Sequence, residues 1–388
     1  MRYSIIGNGA AGIAAAESIR KNDPLASITI YSGEDYFHYS RPRLIDLLAG
    51  KVSIEGITIR KEEFYAKNNL RLVQPVRVTS IDPIQKMIRL EGGTEEGYDK
   101  CIIATGASSF LPPVPGADTQ GVFTLRTIQD ALRIIDYSQG KKDAVIIGGG
   151  LLGIEAGVSL TLRGFRVTIV EVFDRLLPKQ LDAESARILQ RSLETKNLSF
   201  LLPRQVQSIS KQSDGRLQIN FTSAEPIVAD LALFSVGIRP NLSILEGSGI
   251  ETGRGIRVND FLQTSADSVY AAGDIAEHRG VIYGLWPAAR EQGQIAGLNA
   301  SGTRVEYTGS LLSATLKVAG INVVSLGSIE PGKKVEELVK PGIETIRKFF
   351  IQEGKIVGAI FVGDISRFQE IQGMIKGGQK VSPSDLVP

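Results

Sequence analysis

The sequence predicts an α/β protein built from two dinucleotide-binding units of one plan, followed by a small C-terminal α+β domain. Three observations predict it. The stretches RYSIIGNGAAGIAAAESIRKN, from residue 2, and DAVIIGGGLLGIEAGVSLTLRG, from residue 143, share a short apolar strand, a G-x-G-x-x-G turn and a helical pattern rich in small residues. Each is followed by a second β-like run, ASITIYSGE in the first copy and FRVTIVE in the second. Each copy closes on an apolar strand that ends at a glycine, YDKCIIATGA at Gly106 and LALFSVGIRPN at Gly237. A lone glycine fingerprint is weak evidence, but two in strand–turn–helix context, each with an acid at the correct distance, are strong.

The composition agrees with this plan. A chain of 388 residues is too long for one ordinary core, so two or three domains are expected. Hydrophobic content of 43% and 42 glycines suit an α/β protein with many tight turns. A formal charge of +2 gives no support for a nucleic-acid or membrane-surface partner. An apolar strand begins almost at Met1, leaving no room for a signal peptide, and no apolar run approaches the roughly 20 residues of a membrane span. One cysteine excludes an internal disulfide, and with two histidines it argues against a structural zinc site. A soluble cytoplasmic protein without a metal is expected.

Within each unit the residues have separable tasks. Gly7 and Gly148 permit the tight turn out of the strand. Gly9 and Gly150 let the backbone approach a pyrophosphate, and Gly12 and Gly153 let helix and strand pack closely. Ala11 and Leu152 occupy the same first helical turns, where exposed N–H groups and the helix dipole favour phosphate. An acid about 20 residues on is expected to hydrogen-bond an adenosine ribose, and Glu34 and Glu171 fill that position.

The run TSADSVYAAGD, Thr264 to Asp274, resembles the second FAD fingerprint of the two-dinucleotide-fold flavoprotein reductases. That resemblance implies that Asp274, after Gly273, binds the ribityl chain of FAD. It also places Ala104, Thr105 and Gly106 beside the FAD phosphates, with Val78 among the cofactor-binding residues. Gly237 then closes a second, inserted unit that takes a nicotinamide dinucleotide. Glu171 at its strand end favours NADH over NADPH, because a carboxylate bonds both ribose hydroxyls and repels a 2′-phosphate. Arg166 and Arg175 lie nearby without occupying the acid's position.

Related disulfide reductases place a redox cysteine after the first acid. Here that stretch is HYSRPRL, and Cys101 sits instead in the apolar strand KCIIATG, where a buried structural thiol is expected. YSRPRL resembles the corresponding segment of NADH:rubredoxin oxidoreductases, related ferredoxin reductases and nitrite-reductase flavin domains. On that resemblance Pro42 fixes the backbone and Arg41 pairs with the FAD pyrophosphate. Arg43 approaches the isoalloxazine, where a positive charge would stabilise the anionic reduced ring. Glu155, on the first turns of the second helix, is expected to pair with an arginine near the nicotinamide. GLWPAAREQGQIAGLNASG resembles the helix that closes the flavin domain, with Trp286 to Ala288 at its start near the ring's pyrimidine edge. The implied domains are 1–111 with 239–302 for FAD, 112–238 for NAD, and 303–388 for a C-terminal interface or docking domain.

The implied activity is that of an NADH-dependent FAD flavoprotein passing electrons to a rubredoxin- or ferredoxin-type iron–sulfur protein. Such carriers are acidic, so a basic rim is expected. Arg41, Arg43, Lys51, Arg60 and Lys61, with Lys333, Lys334, Arg347 and Lys348, are its candidates, interleaved with Glu62, Glu63, Glu336 and Glu337. The alternatives are an NADH oxidase or quinone-type reductase, a flavin-dependent sensor, and an electron-transfer subunit of a larger nitrite reductase or carbon monoxide dehydrogenase complex. Monomer and homodimer remain open.

Overall fold

The computed structural model describes residues 1–318, 320–329, 336–342 and 344–386. In chain order the elements that frame the site are β1 (Arg2–Ile6), α1 (Ala10–Asn22), β2 (Ser27–Tyr31), β3 (Leu70–Val73), β4 (Lys100–Ile103) and β5 (Val122–Thr124). They continue with β6 (Asp143–Ile147), α2 (Leu151–Leu162), β7 (Arg166–Val170), β8 (Leu198–Leu201), β9 (Leu231–Phe234), β10 (Val269–Ala271) and α3 (Trp286–Ala300). A C-terminal sheet adds β11 (Ser313–Val318), β12 (Ile321–Gly327), β13 (Glu336–Pro341), β14 (Ile346–Gln352) and β15 (Lys355–Val362).

Two compact units emerge. The first comprises Met1–Arg43, Ser53–Ser108 and Ile238–Ser310; the second comprises Leu44–Val52, Ser109–Gly237 and Leu311–Pro388. In the first unit five strands are ordered β10-β4-β1-β2-β3, all parallel. Their apolar residues are buried on both faces, as a parallel sheet covered by crossovers requires. α1 and α3 cross closely because their contact faces carry small residues. A Cβ on Gly293 would stand 2.1 Å from the Ala11 carbonyl oxygen, and one on Gly297 would stand 2.6 Å from that of Ala15.

The second unit repeats the plan with β8-β7-β6-β9-β5, again all parallel. Its edge strand β5 comes from before the fingerprint strand, whereas β10 of the first unit comes after the insertion. Each unit also inserts a three-stranded antiparallel sheet into its crossover, Val78–Asp82 with Met87–Leu90 and Glu95–Gly97 in the first, and Val206–Lys211 with Leu217–Phe221 and Ala224–Ala229 in the second. The internal repeat therefore extends further than the fingerprints alone indicate.

By chain position, residues 44–52 are expected with the flavin domain. They group instead with the second unit, because helix Leu44–Leu48 buries Leu44, Leu47 and Leu48 and Ser159 of α2 donates to the Ile45 carbonyl at 2.9 Å. The C-terminal sheet, ordered β11-β12-β15-β14-β13 and antiparallel, has its own apolar core around Phe349, Phe361 and Ile371.

Candidate dinucleotide sites

In the first unit β1 delivers the chain into a turn at Gly7, whose φ is +123°. A Cβ there would lie 2.1 Å from the Ala104 carbonyl oxygen, so glycine is required both by the turn and by the approach of the loop after β4. A Cβ on Gly12 would lie 1.9 Å from the Gly7 carbonyl oxygen, which is why the third glycine is needed for α1 to start here. Gly9 caps α1, and a Cβ on it would meet nothing within 4 Å. Its small size leaves open space at the helix start, where a phosphate is expected to approach.

The surrounding polar groups converge on this turn. Glu34 accepts a hydrogen bond from Tyr39 Oη at 2.7 Å and from Arg41 Nη2 at 2.5 Å. Arg41 is also within electrostatic reach of Asp274, so one guanidinium connects the acids that follow the first glycine turn and Gly273. Arg43 is exposed and donates to the Gly56 carbonyl at 2.7 Å, while Pro42 lies between the two in a short 3₁₀ turn. Thr105 Oγ1 and Asn8 Nδ2 are buried without a hydrogen-bond partner. Such groups are costly unless a further molecule satisfies them, and their place beside the Gly7 turn fits a bound dinucleotide. Gly106 follows Thr105, whose carbonyl takes a hydrogen bond from Asn241 at 2.9 Å.

Sequence reasoning missed His38, Asn8 and Tyr65. The His38 ring is buried, and its Nδ1 donates to the Asn8 carbonyl at 3.0 Å. Tyr65 Oη accepts the His38 backbone N–H at 3.2 Å and donates to Asn8 Oδ1 at 2.9 Å, which fixes the Asn8 amide. The His38 ring stacks on Trp286, with centroids 5.6 Å apart and an 18° interplanar angle. Burial lowers the His38 pKa to about 4; the Asn8 hydrogen bond opposes this and Arg60, Arg41 and Arg290 add to it. The imidazole is thus neutral near pH 7. Trp286 opens α3, whose first N–H groups have no side-chain cap, and Ala288 is buried in its first turn. Val78 lies with Ile81, Ile88 and Leu90 in the apolar core.

In the second unit Gly148 repeats the geometry of Gly7, with φ of +119° and a Cβ position 2.3 Å from the Ser235 carbonyl oxygen. Gly153 again abuts the turn, 2.0 Å from the Gly148 carbonyl oxygen, and Gly150 again faces open space. Glu171 is buried, its carboxylate accepting the N–H groups of Gly149 at 2.7 Å and Phe173 at 3.0 Å. Leu152 is exposed on the first turn of α2, and the Gly237 carbonyl accepts the Phe110 N–H at 2.9 Å. Arg166 is paired with Asp143 at 2.7 Å and Arg175 with Asp174 at 2.9 Å, so neither is paired with Glu171. Glu155 sits partly buried on α2; burial, and then the nearby Asp46 carboxylate, raise its pKa to about 7.

The expected basic rim needs correction. Lys348 is buried on β14, with Nζ among the carboxylates of Asp182, Glu184 at 2.9 Å and Glu337 at 3.0 Å. Arg347 is largely covered and bound to Asp364 and Ser366. Both are tied into the fold by acids, which leaves them unsuited to meet an acidic partner. Arg60 is likewise paired with Glu17, at 2.7 Å. Lys51 and Lys61 are exposed, and Lys333 and Lys334 lie outside the described residues. Among the described residues no helix is long and apolar enough to cross a membrane, and no group of three or more His, Cys, Asp or Glu side chains is placed to hold a metal. Cys101 is fully buried on β4, where desolvation raises its pKa strongly.

Two parallel sheets of one strand plan, each with a glycine turn and an anchored acid, define a two-dinucleotide-fold oxidoreductase. Residues 1–293 match the model of the pyridine nucleotide-disulphide oxidoreductase family, and residues 313–379 match that of the rubredoxin NAD+ reductase C-terminal domain. The chain belongs to the pyridine nucleotide-disulphide oxidoreductase family. It is 36% identical to the assimilatory nitrate reductase electron transfer subunit of Bacillus subtilis, across 94% of this chain and 48% of that one, so it spans about half the length of that relative. It is 34% identical to the NADH-rubredoxin oxidoreductase of Clostridium acetobutylicum, across 93% of this chain and 91% of the relative. The solved structure of NADH:rubredoxin oxidoreductase from that organism superposes with a TM-score of 0.83 at 32% identity, covering 98% of this chain and 96% of the other.

Proposed function

We propose that the chain is an NADH-dependent FAD flavoprotein that delivers electrons to a small iron–sulfur protein of the rubredoxin or ferredoxin type. The observation that carries this reading is the extent of the match to NADH-rubredoxin oxidoreductase, 93% of this chain against 91% of the relative. FAD, when bound, supplies the conversion between two-electron and one-electron transfer. Thr105 and Asn8 supply buried donors at the glycine turn, and Asp274 and Glu34 supply carboxylates for sugar hydroxyls, with Arg41 between them. Pro42 holds the turn that presents Arg41 and Arg43. The uncapped start of α3 at Trp286 offers N–H groups to negative charge. In the second unit Glu171 selects a free ribose, and Glu155 holds a proton at its carboxyl near neutral pH. Cys101, buried and protonated, takes no part in electron transfer.

The test is anaerobic. Stoichiometric NADH is added to the purified protein, the flavin's visible absorption is followed, and rubredoxin, ferredoxin or oxygen is then mixed in. Bleaching by NADH followed by much faster reoxidation with rubredoxin than with oxygen is the expected result. Reoxidation by oxygen or quinone alone overturns the carrier assignment, and no bleaching overturns the reductase reading. A second reading, an electron-transfer subunit of a nitrate- or nitrite-reducing complex, is favoured by the 36% identity to the B. subtilis subunit. It predicts rapid reoxidation only by that complex.

A further inference from the structure

Gln292 lies in the middle of α3 and is 1% exposed. Its side chain does not cap or brace its own helix. Gln292 Oε1 accepts the backbone N–H of Gly273 at 2.8 Å, immediately before Asp274. The other end of the same amide, Nε2, donates to Tyr307 Oη at 3.3 Å. Tyr307 Oη lies 2.7 Å from Ser310 Oγ, and Ser310 Oγ donates to the exposed Glu291 carboxylate. Since the serine proton goes to Glu291, the tyrosine proton goes to the serine, and the Tyr307 oxygen is left to accept from the amide. Every link therefore has one polarity, from the Gly273 N–H to a carboxylate at the surface.

That polarity decides which way the amide faces. A glutamine turned through 180° would set its NH₂ against the Gly273 N–H, two donors facing each other. The Gly273 N–H can only donate and so sets which end of the amide faces it, and the Tyr307 oxygen, its own proton committed to Ser310, accepts at the far end in agreement. Burial keeps Tyr307 a phenol by raising its pKa well above the ordinary value. Its ring packs 4.8 Å from His278 and 6.0 Å from Tyr283 between centroids, so removal of the hydroxyl, which Tyr283 also meets, leaves the ring packing in place. The reach of Gln292 depends in turn on the small residues beside it. Gly293 brings α3 against Ala11, and Gly273 is itself closed in by Ala11 and Ala289.

We infer that Gln292 and Tyr307 are positioning residues for the FAD site, fixing the Gly273–Asp274 loop through a one-way hydrogen-bond chain that ends at Glu291. This rests on the reading of the first unit as the FAD unit. Unidirectional chains reinforce each link, and a buried amide that loses its orienting partner leaves a donor or acceptor unpaired. The consequence is a loop whose carboxylate is held ready for the cofactor by groups that never touch it.

The experiment uses the full-length holoprotein with Gln292→Met, which keeps length and loses polarity, and Tyr307→Phe, which keeps the ring. FAD dissociation is followed by flavin fluorescence, turnover is measured with and without excess FAD, and apoprotein unfolding is recorded in parallel. Gln292→Met is expected to weaken FAD binding about tenfold, about 1.4 kcal/mol. Tyr307→Phe is expected to weaken it roughly threefold, with apoprotein unfolding unchanged and turnover restored by added FAD. Ser310→Ala, at the surface end, serves in place of Gln292→Met should that variant not fold. Parental FAD affinity in Tyr307→Phe and in the second folded variant overturns the inference. A parent protein that carries and binds no FAD overturns the reading beneath it instead.

Discussion

The two glycine turns are nearly superimposable in their constraints, yet the acids that follow them are held in opposite ways. Glu171 is buried and grasped by the backbone N–H groups of Gly149 and Phe173. Glu34 is partly exposed and grasped by side chains, Tyr39 and the Arg41 cation. Neutral donors leave the charge of Glu171 uncompensated, whereas Arg41 offsets that of Glu34. A fingerprint thus dictates where an acid stands, while neighbours outside the fingerprint decide how much negative charge it presents. For a cofactor that must be discriminated by a 2′-phosphate, an uncompensated charge is the useful one. For a cofactor that is kept, a cross-braced acid suffices.

The sharpest way to break the correspondence is to load the glycines. Gly7→Ala and Gly148→Ala each force a side chain into positive φ and against a carbonyl oxygen, and each is expected to destabilise its unit by about 3 kcal/mol or more. Gly9→Ala and Gly150→Ala meet no protein atom and should leave stability within about 0.5 kcal/mol while weakening dinucleotide binding. Urea unfolding beside FAD and NADH titration separates the pairs. Equal losses of stability in all four would mean that the open space at the helix starts has no special role.

Those glycines and acids were legible because their constraints act over a few residues of chain. The spacing of a turn, its helix and the next strand is local geometry, and sequence carries it directly. The partners of Asn8 were not legible. Tyr65 lies 57 residues away, and His38 meets Trp286 only after strands from distant parts of the chain assemble. The pairing of Arg41 with Glu34 was not legible either, because it depends on a 3₁₀ turn that no periodicity announces. Lys348 misled for a different reason. Charge in a sequence carries no sign of burial, and three carboxylates, two from one helix start and one from the neighbouring strand, enclose it.

The charge difference between the acids is tested next by Glu171→Gln and Glu34→Gln. Removing the uncompensated charge should cut the preference for NADH over NADPH, measured as the ratio of kcat/KM values, by roughly tenfold. Glu34→Gln should leave that ratio alone and loosen FAD by only about threefold, since it removes an acid already paired. An unchanged ratio in Glu171→Gln would show that discrimination lies elsewhere in the second unit.

Acidity should move the two units in opposite directions. His38 has its folded pKa lowered to about 4 from an unfolded 6.5. Its contribution is intact above the unfolded value and shrinks as pH falls from 6.5 towards 4, because only the unfolded chain takes up the proton there. The charged neighbours Arg41, Arg60 and Arg290 make protonation in the fold worse. Glu155 has its folded pKa raised to about 7 from 4.5, so its contribution is complete at low pH and is lost as pH rises through 7. Unfolding of the first unit is therefore expected to ease on acidification from pH 6.5, less steeply in His38→Asn, while unfolding of the second unit is expected to ease as pH rises, less so in Glu155→Gln. Parallel pH profiles in parent and variants would remove both groups from the account.

The smallest expected effect concerns the thiol. Cys101 stands opposite Ser4 on β1, and the register of the second unit places Ala232 at the matching position opposite Val145. Cys101→Ala therefore makes the first sheet resemble the second. Losing one buried heavy atom should cost roughly 1 kcal/mol, and electron transfer from NADH to the carrier should keep its parental rate. In a family named for disulphide chemistry that outcome has weight. A thiol held fully buried and protonated on a sheet strand has no thiolate to offer, so in the proposed reaction electrons leave the flavin without a sulfur relay. A Cys101→Ala protein that is reduced by NADH normally but no longer reduces any acceptor would reverse this, and would place the one cysteine on the electron path after all.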